Sequence, residues 1–460
     1  MPKELSAKDA KKRELILNGS IWQTLLVLGA PLALFNGLNL FFKLYDTLLA
    51  STISPMSVSV VSYLSQLNLM FTALGGGFAI GCSIKISEAY GSGDYALVHK
   101  RVQLLFAFAG LLSAVVLCMI PFTSQFLKLT GTPEEFINSG TIYFALHLLD
   151  NVLVLFNTAY IAIERSRGNS TRILALNVGS MVVKMGLNTV FVLIMGYGIE
   201  MMAVATICSN SVVFFGGFIY QLCLKDRNGV FAVNFKEMKY ESQAAKPMLK
   251  TSVPVVGEKV AFQLGKVAIN GMCGVYGNLM VGALGVSNNI SSMTMAPING
   301  FQEAGIAMVS QNRGAGNEKR ALKIFYTLLT MNLCAGVVGY MTSMHFLPVI
   351  SSWFDSGDPE FNALICLTYF YEVNALIPLA INSAVMALLY GHGYTKLTLL
   401  INFSRVLVFR VPVLWYMQQV LNMGSESIGI VMMISNGATG IIAIIVTFFV
   451  VRKIKKENNL

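Results

Sequence analysis

Twelve stretches of this chain are each long and apolar enough to cross a bilayer, and that leaves few folds open to it. A spanning helix needs about 20 predominantly apolar residues. The twelve candidates run roughly over 21–51, 56–89, 99–120, 139–164, 172–195, 201–224, 248–274, 279–312, 320–347, 361–390, 396–418 and 427–451; they are called spans 1 to 12 below. Only 12% of the residues are charged, against about 25% in a soluble domain. Such a chain cannot cover itself with polar surface, so its expected solvent is the lipid bilayer. The expected fold class is all-α integral membrane.

The connections carry an orientation signal. One set is basic: the segment before span 1 (Lys3, Lys8, Lys11, Lys12, Arg13), then His99, Lys100 and Arg101, then Arg165, Arg167 and Arg172. It continues with 225–250, with Arg313, Lys319, Arg320 and Lys323, with Lys396, and with the tail Arg452, Lys453, Lys455 and Lys456. The alternating set is neutral or acidic: Glu134 and Glu135, Glu200, Asp355, Asp358 and Glu360, and Glu426, with Lys128 its one clear cation. Cytoplasmic loops are enriched in Lys and Arg. The alternation therefore predicts a multi-pass protein of the plasma (cell inner) membrane with both termini in the cytoplasm. The net charge of +10 is absorbed by this bias and calls for no nucleic-acid partner. Span 1 follows a basic segment but continues for about 30 residues, too long for the apolar core of a signal peptide, and is read as retained. The seven cysteines are scattered through apolar stretches without a Cys-x-x-Cys pair. That pattern predicts packing residues rather than a disulfide framework or metal site.

The chain repeats itself. Pro31 and Pro254 are 223 residues apart, as are Gly77 and Gly300, Ser87 and Ser310, and Gly91 and Gly314. SRGNSTRILALN (166–177) aligns with YGHGYTKLTLLIN (390–402) at an offset of 225, and Asn210 with Asn436 at 226. The expected organisation is a cytoplasmic segment 1–20, a first lobe 21–224, a linker 225–247, a second lobe 248–451 and a tail 452–460: two pseudo-symmetric six-helix lobes. Each half has an even number of spans, so the repeat is parallel. Duplicated halves around a midplane site are a common transporter architecture.

Charges inside spans are expensive and functional by default, or else paired for structure. The first half holds Lys43 and Asp46 on span 1, Asp150 on span 4 and Lys184 on span 5; the second holds Glu258, Lys259 and Lys266 on span 7, Glu303 on span 8, Glu372 on span 10, and Arg405 and Arg410 on span 11. Lys43 and Asp46 share a helix face, and Asn188 lies at comparable depth on span 5 with Lys184 one turn deeper. A pocket of Asp46, Lys43, Lys184 and Asn188 is expected, able to take a proton or a metal cation, or else a static salt bridge pinning spans 1 and 5. Glu258, Glu303 and Glu372 lie near mid-depth and form a second candidate cluster with Lys259, Lys266 or Arg410, as a transport site or a static network. Lys85 and Glu88 read as a structural pair, and His147 and His345 as satisfied interior residues. Pro31 and Pro254, each inside the first helix of its half, are candidate hinges as well as static kinks, because proline removes a backbone hydrogen bond. Gly75, Gly76, Gly77, Gly81, Gly300 and Gly305 are read as close-packing positions. Gly91–Gly93 and Gly314–Gly316 end helices and lack the Lys-Ser/Thr of a phosphate loop, so direct ATP use is not expected, nor is any organic cofactor.

Together, GAPLALFNGLNLFFKLYDTLLA in span 1, GGGFAIGCSIKISEAYGSGDY in span 2, APINGFQEAGIAMVSQNRGAGN in span 8, and the turns SRGNSTR and YGHGYTK resemble the multidrug and toxic compound extrusion (MATE) family. The resemblance covers about 20–451. It implies two V-arranged six-helix lobes around a central cavity, and alternating access with export driven by inward proton or sodium flow. It also implies a monomer, with Asp46 as the ion-coupling carboxylate. The chain departs from that pattern where an Asp is usual on span 5 and Asn188 stands, and where an Asn one turn earlier is replaced by Lys184. Lys184 is thus a candidate built-in cation in place of a bound ion. The expected function is cation-coupled antiport of small organic molecules or drugs, with a flippase for a lipid-linked saccharide or an exporter of an organic anion as alternatives. A channel, a receptor or an enzyme fits the repeat and the paired charges less well.

Overall fold

The computed structural model describes residues 5–225, 229–234, 238, 240–352 and 359–459; Asp355 and Asp358 lie outside them. Helices account for nearly all of this chain, and no strand occurs among the described residues. A short helix, α1 (Ala7–Asn18), precedes the first span; Ser6 Oγ accepts from the Asp9 amide at 3.2 Å and donates to Asp9 Oδ2 at 2.7 Å, an N-cap arrangement. Span 1 is α2 (Ile21–Ile53), span 2 α3 (Pro55–Ser92) and span 3 α4 (Tyr95–Met119). After the short α5 (Thr123–Leu129), span 4 is α6 (Glu134–Ser166). Spans 5 and 6 begin as α7 (Ser170–Asn188) and α8 (Ile199–Val213), and both end in wider π-helical turns, Thr189–Ile194 and Phe214–Lys225. In the second half, α9 (Ser242–Cys273), α10 (Asn278–Gly314) and α11 (Glu318–Ser352) are spans 7 to 9. Span 10 is the pair α12 (Pro359–Val373) and α13 (Leu376–Gly391), span 11 the pair α14 (Thr395–Leu407) and α15 (Val411–Gln419), and span 12 is α16 (Glu426–Glu457).

Each expected span thus has its helix. Among the described residues nine helices are long and apolar enough to cross a membrane, and α12 with α13, bent by 49°, makes a tenth as one broken span. The two remaining, α9 and α10, have ample length but are too polar for that criterion. Lys246, Lys250, Glu258, Lys259 and Lys266 lie on α9, and α10 carries Ser287, Asn288, Asn289, Asn299, Gln302 and Glu303. Polarity inside membrane helices is tolerated where it faces protein or a wet cavity.

The repeat reappears in backbone geometry. Gly93 (φ 80°) and Gly316 (φ 74°) end α3 and α10, and Gly168 (φ 71°) and Gly393 (φ 74°) follow α6 and α13. These left-handed positions, which suit glycine, fall at the offsets 223 and 225 already seen in the sequence.

By packing, the chain divides into two compact units: one holds the segment up to Glu14 with Phe41–Val256, the other Leu15–Leu40 with the chain from Gly257 on. This partition differs from the sequence lobes in two segments, because α2 and α9 each belong to both units. The beginning of α2 packs on α10, where a Cβ on Gly300 would lie 2.3 Å from the Ala33 amide nitrogen. The beginning of α9 packs on α3, where a Cβ on Gly77 would lie 2.9 Å from Val256 Cα. Gly77 with Gly300, and Ala33 with Val256, are both pairs 223 apart, so one backbone contact is made twice. The core of the first unit is built around Tyr90, Phe106, Tyr160, Phe218 and Phe144, that of the second around Ile269, Leu284, Ile298, Tyr369 and Leu414.

Candidate functional site

Four residues apart, Lys184 and Asn188 lie on one face of α7, and both reach Asp46 of α2. Lys184 Nζ is 2.5 Å from Asp46 Oδ2, and Asn188 Nδ2 donates to Asp46 Oδ1 at 3.3 Å. Asn188 is fully buried, while the Asp46 and Lys184 side chains retain 26% and 16% exposure. The helix widens into its π turn immediately after Asn188, and Thr189 Oγ1 there lies 3.3 Å from the Tyr45 hydroxyl. Such turns recur at functional sites. Three of the four residues expected here therefore meet; Lys43 lies exposed one turn earlier on α2.

The polar lining continues along α6. Asp150, 4% exposed, accepts two hydrogen bonds from Asn210 Nδ2 of α8, at 2.8 and 3.0 Å. Asn151 donates to Asn68 at 2.6 Å, and Asn157 to the Asn210 carbonyl at 2.9 Å. His147 packs edge-on to the Tyr143 ring at 4.5 Å, but its buried Nδ1 has no hydrogen-bond partner among the described residues. It is not the satisfied interior histidine expected from the sequence. Asp150 stood out as an intramembrane charge; its partner Asn210 was visible only as a repeat position.

The second half places its charges differently. Glu258 of α9 is 4% exposed; it accepts from Tyr390 of α13 at 2.6 Å and from Asn402 of α14 at 2.9 Å. Its Oε2 is buried without a hydrogen-bond partner among the described residues. Glu372 of α12 accepts from Ser287 of α10 at 2.8 Å. These two carboxylates thus accept from separate neutral donors, while the charge of Glu372 also acts on Arg405 and Arg410. Glu303 is part-buried on α10. Arg410 stands where span 11 breaks between α14 and α15; it donates to Ser435 Oγ at 3.0 Å and to Asn436 Oδ1 at 2.8 Å. Arg405 donates to the same Asn436 oxygen at 2.9 Å. The sequence marked Arg410; Tyr390, Asn402 and Ser435 are uncharged and carried no signal as its neighbours or those of Glu258.

At the cytoplasmic ends expected from the loops, Arg167 makes two hydrogen bonds to Asp9, at 2.8 and 3.3 Å, and one to Glu164 at 2.9 Å. Glu164 also meets Arg172 at 3.1 Å, and Lys12 donates to Asn169. Burial by itself raises the Asp9 carboxyl, but the Arg167 bonds and charge outweigh it and hold the group below its ordinary value. Burial pushes the Lys12 ammonium down to about 8. Lys85 and Glu88 pair at 2.6 Å as expected.

Apolar spans in a duplicated chain, with charged groups gathered inside each half, define a membrane transporter. The MatE family profile matches residues 31–190 and 254–416, and the chain belongs to the MatE family, whose members are transporters and not enzymes. The two matched segments open at Pro31 and Pro254, the repeat-related prolines. The probable multidrug resistance protein YoeA of Bacillus subtilis (strain 168) is 25% identical over 326 residues, 69% of this chain and 70% of that protein. Among solved structures, an outward-facing multidrug resistance MATE transporter of the MOP superfamily matches with a TM-score of 0.89 at 17% identity, covering 98% of this chain and 100% of that one. A MOP superfamily transporter from Pyrococcus furiosus Vc1 (DSM3638), described as having a binding pocket of reverse polarity, matches at 0.90 and 17%, covering 98% and 99%. The fold is the all-α, twelve-helix membrane fold of these transporters.

Proposed function

We propose that this chain is a multidrug efflux antiporter that exports small organic molecules in exchange for protons. The observation that carries the reading is the Asp46–Lys184 contact of 2.5 Å inside a transmembrane unit. Any cation that binds Asp46 must displace the lysine. A proton does so by neutralising the carboxylate, whereas sodium must compete with an ammonium that is already seated. Protonation leaves Lys184 without its counter-charge in a poorly solvated place, where an unpaired charge is expensive. The strain is relieved when α2 moves relative to α7. Pro31 lies inside the same helix, and α2 passes between the two packing units at 40/41, as α9 does at 256/257 beside Pro254; these are the segments assigned to bending. The protein is placed in a plasma (cell inner) membrane with both termini cytoplasmic, on the alternation of basic and acidic loops.

The test is reconstitution into proteoliposomes with an imposed pH gradient, reading both dye movement and internal pH. Dye movement that dissipates the proton gradient in wild type, and dye movement without proton flux in Asp46→Asn, support the reading. Export driven by a sodium gradient at constant pH overturns it.

A further inference from the structure

The Lys184 ammonium has a second carboxylate within electrostatic reach. Spans 4 and 5 meet at one turn, with Ser166 the last residue of α6 and Ser170 the first of α7. Asp150 lies sixteen residues before Ser166, and Lys184 fourteen after Ser170. By helical rise both stand about 21–24 Å from that turn, at nearly one depth. α8 ties the two helices together there. Ser180 Oγ donates to the Ser209 carbonyl and Ser209 Oγ to the Ser180 carbonyl, both at 2.7 Å across α7 and α8. The next residue of α8, Asn210, donates to both Asp150 oxygens. The ammonium accordingly acts through its charge on Asp150, and on His147 one turn earlier on the same face of α6. All of these residues, Asp46 included, belong to the first packing unit.

Asp150 is poised to take that cation. It is buried and forms no ion pair among the described residues. Both of its oxygens accept from a single amide nitrogen, although a carboxylate offers about four acceptor positions. A buried carboxylate is costly unless a cation pairs with it. Lys184 carries its charge on a flexible stem, and its pair with Asp46 is partly exposed rather than encased, which leaves the ammonium room to turn. The other titratable groups beside Asp150 are His147 and Tyr143 of its own helix, and Asp46 and Asp150 both act through their charge on the Tyr143 hydroxyl. α8 presents Asn210, and α3 presents Asn68 beside Asn151; both are neutral. The remaining charges of the neighbouring helices stand near helix ends: Lys85 and Glu88 of α3, His99, Lys100 and Arg101 of α4, Lys128 of α5 and Glu200 of α8.

We propose that Asp150 is the second seat of the Lys184 ammonium. When a proton binds the Asp46 carboxylate, the ammonium keeps its own protons and turns to Asp150. An ion pair between α7 and α2 is exchanged for one between α7 and α6, and the three groups pass from one net negative charge to none. α2 is thereby released, while α6, α7 and α8 stay tied together. The transported proton rests on Asp46; Asp150 is a positioning residue that holds the displaced cation. This rests on the proton-coupling reading for what unseats the ammonium, whereas the reach to Asp150 stands on the geometry of α6, α7 and α8.

The full-length protein in neutral detergent is melted as a double-mutant cycle of Asp46→Asn and Asp150→Asn at neutral pH. Asp46→Asn mimics the protonated carboxylate, so Lys184 should then sit on Asp150. Asp150→Asn is expected to lower the melting point roughly twice as far or more in the Asp46→Asn background as in wild type, whereas groups that do not meet give equal shifts. Equal shifts overturn the proposal. No transport is needed, so failure of the proton-coupling reading leaves this measurement intact. In proteoliposomes, the pH of half-maximal proton-driven dye export is expected to fall by about one unit in Asp150→Asn, because an ammonium with no second seat holds Asp46 ionised. Asp150→Glu should keep the wild-type midpoint, which a merely structural role for Asp150 does not require. An unchanged midpoint in Asp150→Asn overturns the proposal. A structure of the wild-type protein at acid pH needs no variant to fold. Lys184 Nζ is expected on the Asp150 carboxylate there, and an ammonium found anywhere else overturns the proposal.

Discussion

In the first half Lys184 lies 2.5 Å from a carboxylate supplied by the chain; in the second half Arg410, 226 residues later, hydrogen-bonds a serine and an asparagine, and the Glu372 carboxylate acts on it through its charge. The asparagines at the same offset follow the charges. Asn210 turns its amide nitrogen to Asp150, whereas Asn436 turns its oxygen to two arginines. One scaffold thus carries two different electrostatic interiors: in the first the cation contacts a carboxylate directly, in the second its hydrogen bonds go to neutral groups. Duplication preserves backbone contacts because they set the packing of every neighbouring helix. Individual polar side chains at an interior site can change without disturbing that packing, and there the halves have diverged.

The sharpest way to break this comparison is to remove the counter-charge of the first half. Asp46→Asn is expected to reduce proton-coupled export to passive leak in proteoliposomes. It should also lower stability by about 1–3 kcal/mol, less than the 3–5 of a fully buried pair, because the contact is partly exposed. Asp46→Asn with Lys184→Met should recover the melting point but not the coupling; recovery of both would make the pair a structural pin.

The helix ends beside the basic connections offer a second contrast. Arg167→Ala removes the guanidinium from two buried carboxylates in the first half, leaving Asp9 with Ser6 and Glu164 with Arg172 and Asn169, and is expected to cost about 3 kcal/mol in denaturant or thermal unfolding. In the second half Glu318→Ala removes one 3.0 Å contact to His392 and is expected to cost about 1 kcal/mol. Equal losses would mean that the first-half network is no more cooperative than a single bond.

The duplicated backbone contact allows a finer test. Gly300→Ala and Gly77→Ala should each destabilise by about 1–3 kcal/mol through overpacking. The Gly300 change should be the larger, since its Cβ meets backbone at 2.3 Å rather than 2.9 Å. Matched melting curves of the two variants decide the order.

The smallest effect is one of pH. Lys12 titrates near 8 when folded, against an ordinary 10.5. Between those values the unfolded chain binds more protons than the folded one, so this residue's contribution makes stability rise with pH across that window and stay level below it. Lys12→Met should remove the rise from melting temperatures taken between pH 7.5 and 10. An identical pH slope in the variant would assign it to other groups.

Much of the fold was legible without coordinates because lipid imposes a one-dimensional rule. Every spanning segment must be apolar and about 20 residues long, so the spans could be counted along the chain. The repeat offsets then located the left-handed glycines at Gly93 and Gly316. The meeting of Asp46, Lys184 and Asn188 was also within reach, because helical rise converts sequence position into depth. What could not be read was the azimuth of each side chain around its helix, and therefore its partner. Lys43 shares a face with Asp46 by spacing, yet it lies exposed while Lys184 on another helix takes the carboxylate. Nor did the sequence show that α2 and α9 each divide between packing units, since that depends on which neighbour their first turns lean against.

The sequence by itself determined the solvent, the helix count, the duplication and the intramembrane charges, because hydropathy and periodicity are local properties. Only the tertiary structure decided which charges are balanced. An ion pair depends on a few ångströms between distant helices, and a cation at one repeat position can contact a carboxylate in one half and hydrogen-bond neutral groups in the other.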